Sequence, residues 1–243
     1  MKSDINLYCI PHAGGLASFY NIWIPYFKNT SINIYPLEMK GHGSRFNEND
    51  YLSIEEAASD TFKQIMTIQK STGNHNYAIL GHSMGSYIEL EFLKIIEQLQ
   101  MKEPIACFMS GKGAPSAVDE IHISQLSDQQ FIDQIGTLGE ISDELLKYPD
   151  LLSIFTSTIK DDYRAVEHYD HSKKISLSEK HVFVLNGIDD VYATALNKEA
   201  WQGYFDAPIT IKDFPGGHFF IKDSVATVTG YILNNLEELH ETV

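Results

Sequence analysis

Residues 77–99 read Tyr-Ala-Ile-Leu-Gly-His-Ser-Met-Gly-Ser-Tyr followed by an amphipathic run, an order that admits few backbone paths. Residues 77–80 form a short apolar run suited to a buried strand, while Ile88, Phe92, Ile95 and Leu99 recur at helical steps along one face. Between them lies Gly81-His82-Ser83-Met84-Gly85, a G-x-S-x-G sequence. A strand that passes at once into a helix needs a sharp turn. In the turn of this pattern the serine takes a strained conformation, and the glycines remove side chains that would collide with strand and helix. The turn projects the Ser83 hydroxyl into open space at a helix N-terminus, where unpaired N–H groups and the helix dipole favour developing negative charge. The same five residues in isolation also suit a purely structural turn. Their position between strand and helix favours a nucleophile.

Upstream, Ile5 to Ile10 make an apolar strand that ends in the small-residue loop Pro11-His12-Ala13-Gly14-Gly15. Such a loop lets backbone approach a ligand. With a serine nucleophile, the oxyanion is held by the N–H after the nucleophile and one from a loop after an early strand, which points to Met84 and Ala13. The alternative is a plain turn. Phe19, Trp23 and Phe27 repeat at steps of four and suggest a helix, with Pro25 unsettling its second half. A strand from Ile32 to Leu37, a flexible loop Gly41-His42-Gly43-Ser44-Arg45 and a helix marked by Ile54, Ala58, Phe62, Ile65 and Ile68 lead to the Ser83 turn. Alternating strands and helices imply a parallel sheet.

After a strand at Pro104 to Ser110 the alternation stops. From about 116 to 176 no strand pattern is found. Ser127-x-x-Gln130 forms a capping box before Phe131, Ile132, Ile135 and Leu138, and Leu152, Phe155, Ile159, Tyr163 and Val166 mark a longer helix. This stretch reads as a helical lid inserted over the C-terminal edge of the sheet, where α/β proteins place ligands, with an added structural layer as the competing reading. The sheet resumes at 181–186, followed by Gly187-Ile188-Asp189-Asp190. A strand Ile209 to Phe214 precedes Pro215-Gly216-Gly217-His218-Phe219-Phe220, and Val225, Val228, Ile232, Leu236 and Leu239 supply a final helix.

Ser, Asp and His in that chain order, each just after a strand, are the arrangement of the α/β-hydrolase fold, a mostly parallel sheet flanked by helices. A serine hydroxyl is a weak nucleophile at neutral pH and needs a base to take its proton and a third group to orient that base. His218 and Asp190 fit these roles. His82, His168, His171 and His181 are read as surface or packing residues. Asp189 rivals Asp190, because adjacent residues leaving a strand point in different directions and only one can face His218.

Composition narrows the partners. The chain of 243 residues is 43% hydrophobic with no linker, repeat or low-complexity run, which suits a single domain over residues 1–243. With 33 Asp and Glu against 18 Lys and Arg, the net charge of −15 disfavours a nucleic-acid partner. Neither a signal-peptide pattern nor about 18 consecutive apolar residues is present, so a cytoplasmic protein without a membrane partner is expected. Cys9 and Cys107 lie in apolar runs and are read as buried thiols, and no metal-ligand cluster is found.

Pro11-His12-Ala13-Gly14-Gly15, Phe19 with Trp23, Gly41 to Arg45, Gly81 to Gly85, Asn186-Gly-Ile-Asp-Asp190, Trp201 and Pro215 to Phe220 together resemble the type II thioesterases, stand-alone hydrolases that accompany polyketide synthases and non-ribosomal peptide synthetases. The resemblance runs from about residue 5 to 238. It implies hydrolysis of acyl thioesters on the phosphopantetheine arm of acyl or peptidyl carrier proteins, to clear stalled or misprimed synthases. It matches Asp190 to the family's acid and the insertion to its lid. The enzyme itself is expected to need no metal or cofactor, since the pantetheine belongs to the partner, and to be a monomer. A carboxylesterase of free small esters would use the same residues and is the alternative. Lys40, Arg45 and Lys112, with apolar contacts from Phe131 to Phe155, are the candidates for meeting a carrier protein.

Overall fold

Six segments form strands β1 (Ile5–Ile10), β2 (Ile32–Pro36), β3 (Tyr77–His82), β4 (Cys107–Ser110), β5 (Val182–Gly187) and β6 (Thr210–Phe214) in the computed structural model, which describes residues 4–117, 122–136, 149–170, 181–191 and 193–242. The helices are α1 (Ile24–Phe27), α2 (Ile54–Thr72), α3 (Met84–Gln98), α4 (Asp128–Gly136), α5 (Pro149–Glu167), α6 (Ala195–Glu199), α7 (Phe220–Asp223) and α8 (Val225–Thr242). The strands lie in the order β2-β1-β3-β4-β5-β6, and every neighbouring pair is parallel.

Parallel strands need crossovers, and the crossover helices cover both faces of the sheet. Successive side chains therefore feed two different cores. Ile79, Cys107, Met109, Val182 and Val184 pack with residues of α2 and α3 on one face. Ala78, Leu80, Phe108, Phe183 and Leu185 pack with Trp23, Phe27 and the Val228, Ile232 and Leu236 face of α8 on the other. Cys9 and Cys107 are buried, one in each core, with no disulfide between them.

The expected elements are found with local differences. Phe19 to Phe27 is not one helix. A 3-10 turn over Ala17–Trp23 passes into α1, whose first turn holds Pro25, a position where the missing N–H costs nothing. Trp23 anchors this segment by donating from Nε1 to the Ile221 carbonyl at 3.0 Å. Leu99 caps α3 and is 56% exposed, so the apolar face of that helix ends before it. Helix α2 starts where the Ser53 hydroxyl accepts from Glu56 N–H and stops at Gly73, with φ +66. In the insertion, Gln130 N–H donates to Ser127 Oγ while Ser127 N–H donates to Gln130 Oε1, the reciprocal capping box expected. The described residues of the insertion include no strand and carry α4 and α5. Residues 118–121, 137–148 and 171–176, Leu138 and His171 among them, lie outside the described residues.

Between β1 and β3 the strand order reverses direction along the chain, since β2 lies to one side of β1 and β3 to the other. Open α/β sheets form their crevice at such a switch point, at the carboxyl ends of the strands. The Pro11–Gly15 loop leaves β1 there and Ser83 follows β3. Helix α5 lies over the same edge, with Asp162 meeting both Gly14 and His42. Among the described residues no helix is long and apolar enough to cross a membrane.

Candidate active site

Ser83 sits between β3 and α3 at φ +55 and ψ −116, a conformation that non-glycine residues rarely adopt. The flanking glycines make the turn possible. A Cβ at Gly81 would lie 2.1 Å from the Gly85 carbonyl oxygen, and one at Gly85 would lie 2.6 Å from that of Ile10. The second approach also brings the start of α3 against the end of β1, so the Met84 amide and the Pro11–Gly15 loop face one crevice. Among the described residues neither the Ala13 nor the Met84 backbone N–H has a hydrogen-bond partner.

His218 and Asp190 reach Ser83 from loops after β6 and β5. His218 Nε2 lies 3.0 Å from Ser83 Oγ and Nδ1 lies 2.9 Å from Asp190 Oδ2, with the histidine and aspartate both buried. Asp189 N–H donates to the Gly216 carbonyl at 3.0 Å, and its side chain is exposed. One residue later, Asp190 N–H turns back to the Gly187 carbonyl and the carboxylate faces inward. Gly187 permits this, because a Cβ there would lie 2.2 Å from the Gly217 carbonyl oxygen. The two loops therefore pack backbone to backbone, and Asp190, not Asp189, meets the imidazole.

Two further imidazoles border His218. The His82 ring is 5.2 Å from that of His218, and the His12 ring is 6.0 Å from that of His82. Burial, with His218 as a lesser cause, pushes His82 well below the usual histidine range and His12 down to about 3. Both stay neutral near pH 7. His82 is a buried residue held to Ser110 Oγ at 3.0 Å, whereas His168 and His181 are exposed.

Glu89, on the buried face of α3, was not singled out from the sequence. Its carboxylate accepts from Gly81 N–H at 2.7 Å and from Phe108 N–H at 3.1 Å, which ties the Ser83 turn to β4. An acid in helical register with the apolar Phe92, Leu93 and Ile96 is the signal that would have found it. Glu89→Ala leaves two buried donors without this acceptor, and we expect it to lower stability by about 3 kcal/mol. Urea unfolding measures this as a lower midpoint at unchanged slope, and an unchanged midpoint would refute it.

The basic candidates for partner contact are engaged within the chain. Arg45 pairs with Asp60 at 2.6 Å and Glu48 at 2.7 Å and donates to the Glu38 carbonyl, so the loop expected to be flexible is bonded on several sides. Lys112 is buried, over the Tyr87 ring. Lys40 meets Glu56 at 3.2 Å. Phe131 is fully buried among Ile123, Ile135 and Ile159 and forms the insertion's own core, while Phe155 is partly exposed. The sequence offered these cations and the apolar stretch from Phe131 to Phe155, of which residues 137–148 lie outside the described residues. Ion pairing and burial engage Lys40, Arg45, Lys112 and Phe131 within the chain.

A parallel sheet that carries Ser, Asp and His in this chain order on the loops after β3, β5 and β6 defines an α/β-hydrolase. Residues 5–235 match the family model of the thioesterase domain, and the chain belongs to that family. Thioesterase PikA5 of Streptomyces venezuelae is 27% identical over 235 residues, covering 97% of this chain and 82% of its own. The crystal structure of ClbQ, from the colibactin NRPS/PKS pathway, superposes with a TM-score of 0.89 at 31% identity, covering 99% of this chain and all of its own. The type II thioesterase BorB of the borrelidin biosynthetic cluster gives a TM-score of 0.83 at 26% identity, covering 97% of this chain and 94% of its own.

Proposed function

We propose that this thioesterase hydrolyses acyl groups from the phosphopantetheine arm of carrier proteins in polyketide or non-ribosomal peptide synthesis, with Ser83, His218 and Asp190 as its catalytic triad. The observation that carries the reading is the continuous chain from Ser83 Oγ through His218 to Asp190, at 3.0 and 2.9 Å. Both distances lie within hydrogen-bond reach, as proton transfer requires. The pathways named for the relatives supply the class of substrate.

In the first step Ser83 Oγ attacks the thioester carbonyl as His218 Nε2 takes its proton. The Ala13 and Met84 amides hold the oxyanion, and the thiol leaves with the proton from His218. Water, deprotonated by the same imidazole, then attacks the acyl-serine and releases the acid. Asp190 holds Nδ1–H throughout and stabilises the imidazolium. A thioester is already an activated acyl donor, so this chemistry requires no metal or cofactor from the enzyme.

A charge of −15 gives no long-range attraction to an acidic partner. Recognition then rests on apolar contact, for which Ile188 and Val191, 67% and 74% exposed on either side of the Asp189-Asp190 pair, are available. Intact-mass spectrometry of acyl-carrier proteins before and after incubation tests the reading. Loss of the acyl mass, with kcat/KM above that for a free acyl-pantetheine, is expected. Equal rates on free oxygen esters, with no preference for the carrier, would instead assign a carboxylesterase.

A further inference from the structure

His42 and Asp162 form a buried pair that the proposed chemistry does not use. His42 Nε2 lies 3.0 Å from Asp162 Oδ2, and both side chains are 3% exposed. The other ring nitrogen, Nδ1, lies 2.7 Å from the Lys40 carbonyl oxygen. A carbonyl only accepts, so Nδ1 carries a proton. A carboxylate 3.0 Å from Nε2 favours a second proton through its charge, as an ion-pair contact that is not aligned as a hydrogen bond.

Asp162 Oδ2 makes one more contact. It accepts from the Gly14 N–H at 2.7 Å. Gly14 holds φ +70, and a Cβ there would lie 2.5 Å from Ile159 Cγ1, so α5 rests directly on this loop. The Ala13–Gly14 peptide, once anchored, is joined to the peptide plane that carries the Ala13 N–H only through φ and ψ of Ala13, so its orientation limits where that N–H can point. Orientation of such a donor matters because a misplacement of about 1 Å can cost about a hundredfold in rate.

We infer that Asp162 is a positioning residue for the oxyanion loop, fixed by His42, so that the inserted helix α5 sets the aim of the Ala13 amide. The inference rests on the serine-hydrolase reading of Ser83. Burial acts to lower the His42 pKa, but Asp162, the Lys40 carbonyl and Asp50 outweigh it and push it up to about 9. The groups facing the ring are Asp50 from its own loop, Asp162 from α5 and the neutral His12 from the loop after β1, with Asp161 adding its charge beside Asp50. Since the folded value exceeds the ordinary value of about 6.5, the pair contributes fully below that pH and is lost as pH rises through about 9.

The test compares wild type, Asp162→Asn and His42→Gln on a small soluble acyl thioester. A fluorophosphonate first counts Ser83 sites. With full labelling, Asp162→Asn is expected to lower kcat per labelled site about 10- to 100-fold at unchanged KM, and to weaken a trifluoromethyl ketone transition-state analogue by the same factor. Wild-type kcat is expected to fall as pH rises through about 9. His42→Gln, whose amide donates to Asp162 without titrating, should lack that fall. Full labelling with wild-type kcat and ketone affinity in Asp162→Asn overturns the inference, as does an alkaline fall that persists in His42→Gln. If Asp162→Asn does not fold, the pH profiles of the other two proteins decide. A wild type that the fluorophosphonate does not label at Ser83 removes the serine-hydrolase reading and the inference with it.

Discussion

Ser83→Ala is expected to reduce kcat by about 10⁶ while the protein stays folded, a loss on the scale of triad removal in other serine hydrolases. Only the Oγ is deleted, and its hydrogen bond runs to His218 Nε2. Alanine keeps the Cβ, so the strain at φ +55 is unchanged, and the backbone bonds of the turn, Ser83 N–H to the Ser110 carbonyl and Ser86 N–H to the Ser83 carbonyl, remain. The glycine contacts that permit the turn are untouched as well. Single-turnover hydrolysis of an acyl thioester, beside a thermal melt, separates chemistry from folding. Near-normal turnover by folded Ser83→Ala would remove the proposed mechanism, because no water-attack route through His218 alone is part of it.

Asp190→Asn is expected to cost about 10³- to 10⁴-fold in kcat, and Asp189→Asn very little. An amide in place of the Asp190 carboxylate can turn its NH₂ towards His218 Nδ1. That contact favours the tautomer with the proton on Nε2, where it can no longer accept from Ser83, and it removes the charge that stabilises the imidazolium. Asp189 is exposed and meets the β6 loop through its backbone N–H, so an amide there changes little near the imidazole. Steady-state kinetics of the two variants on one thioester measure the contrast. Equal or reversed losses would mean that the loop after β5 presents a different acid during turnover.

Features encoded within a few residues were legible from the sequence. Continuous apolar runs marked β1, β3 and β5, the steps of three and four marked α2, α3 and α8, and the glycines around Ser83 marked the turn, since each depends on backbone geometry and near neighbours. The chain order Ser, Asp, His added the fold, because it restricts which loops can meet at one sheet edge. Pro25 left the second half of the Phe19 to Phe27 pattern open, because a proline that breaks one helix opens another equally well.

Charge roles were not legible. Arg45 looks like a free cation until Asp60 folds against it, and Lys112 looks exposed until its loop is buried. Asp189 and Asp190 differ only when the β6 loop, 28 residues beyond Asp190, packs on Gly187. Asp162 and Gly14, 148 positions apart, become a hydrogen-bonded pair only once α5 lies over the sheet edge. Backbone periodicity is a local property and survives in any context that keeps the chain folded. Desolvation and Coulomb interaction depend on distances of a few ångströms between groups remote in sequence, so the state of each buried charge is set only when the elements pack.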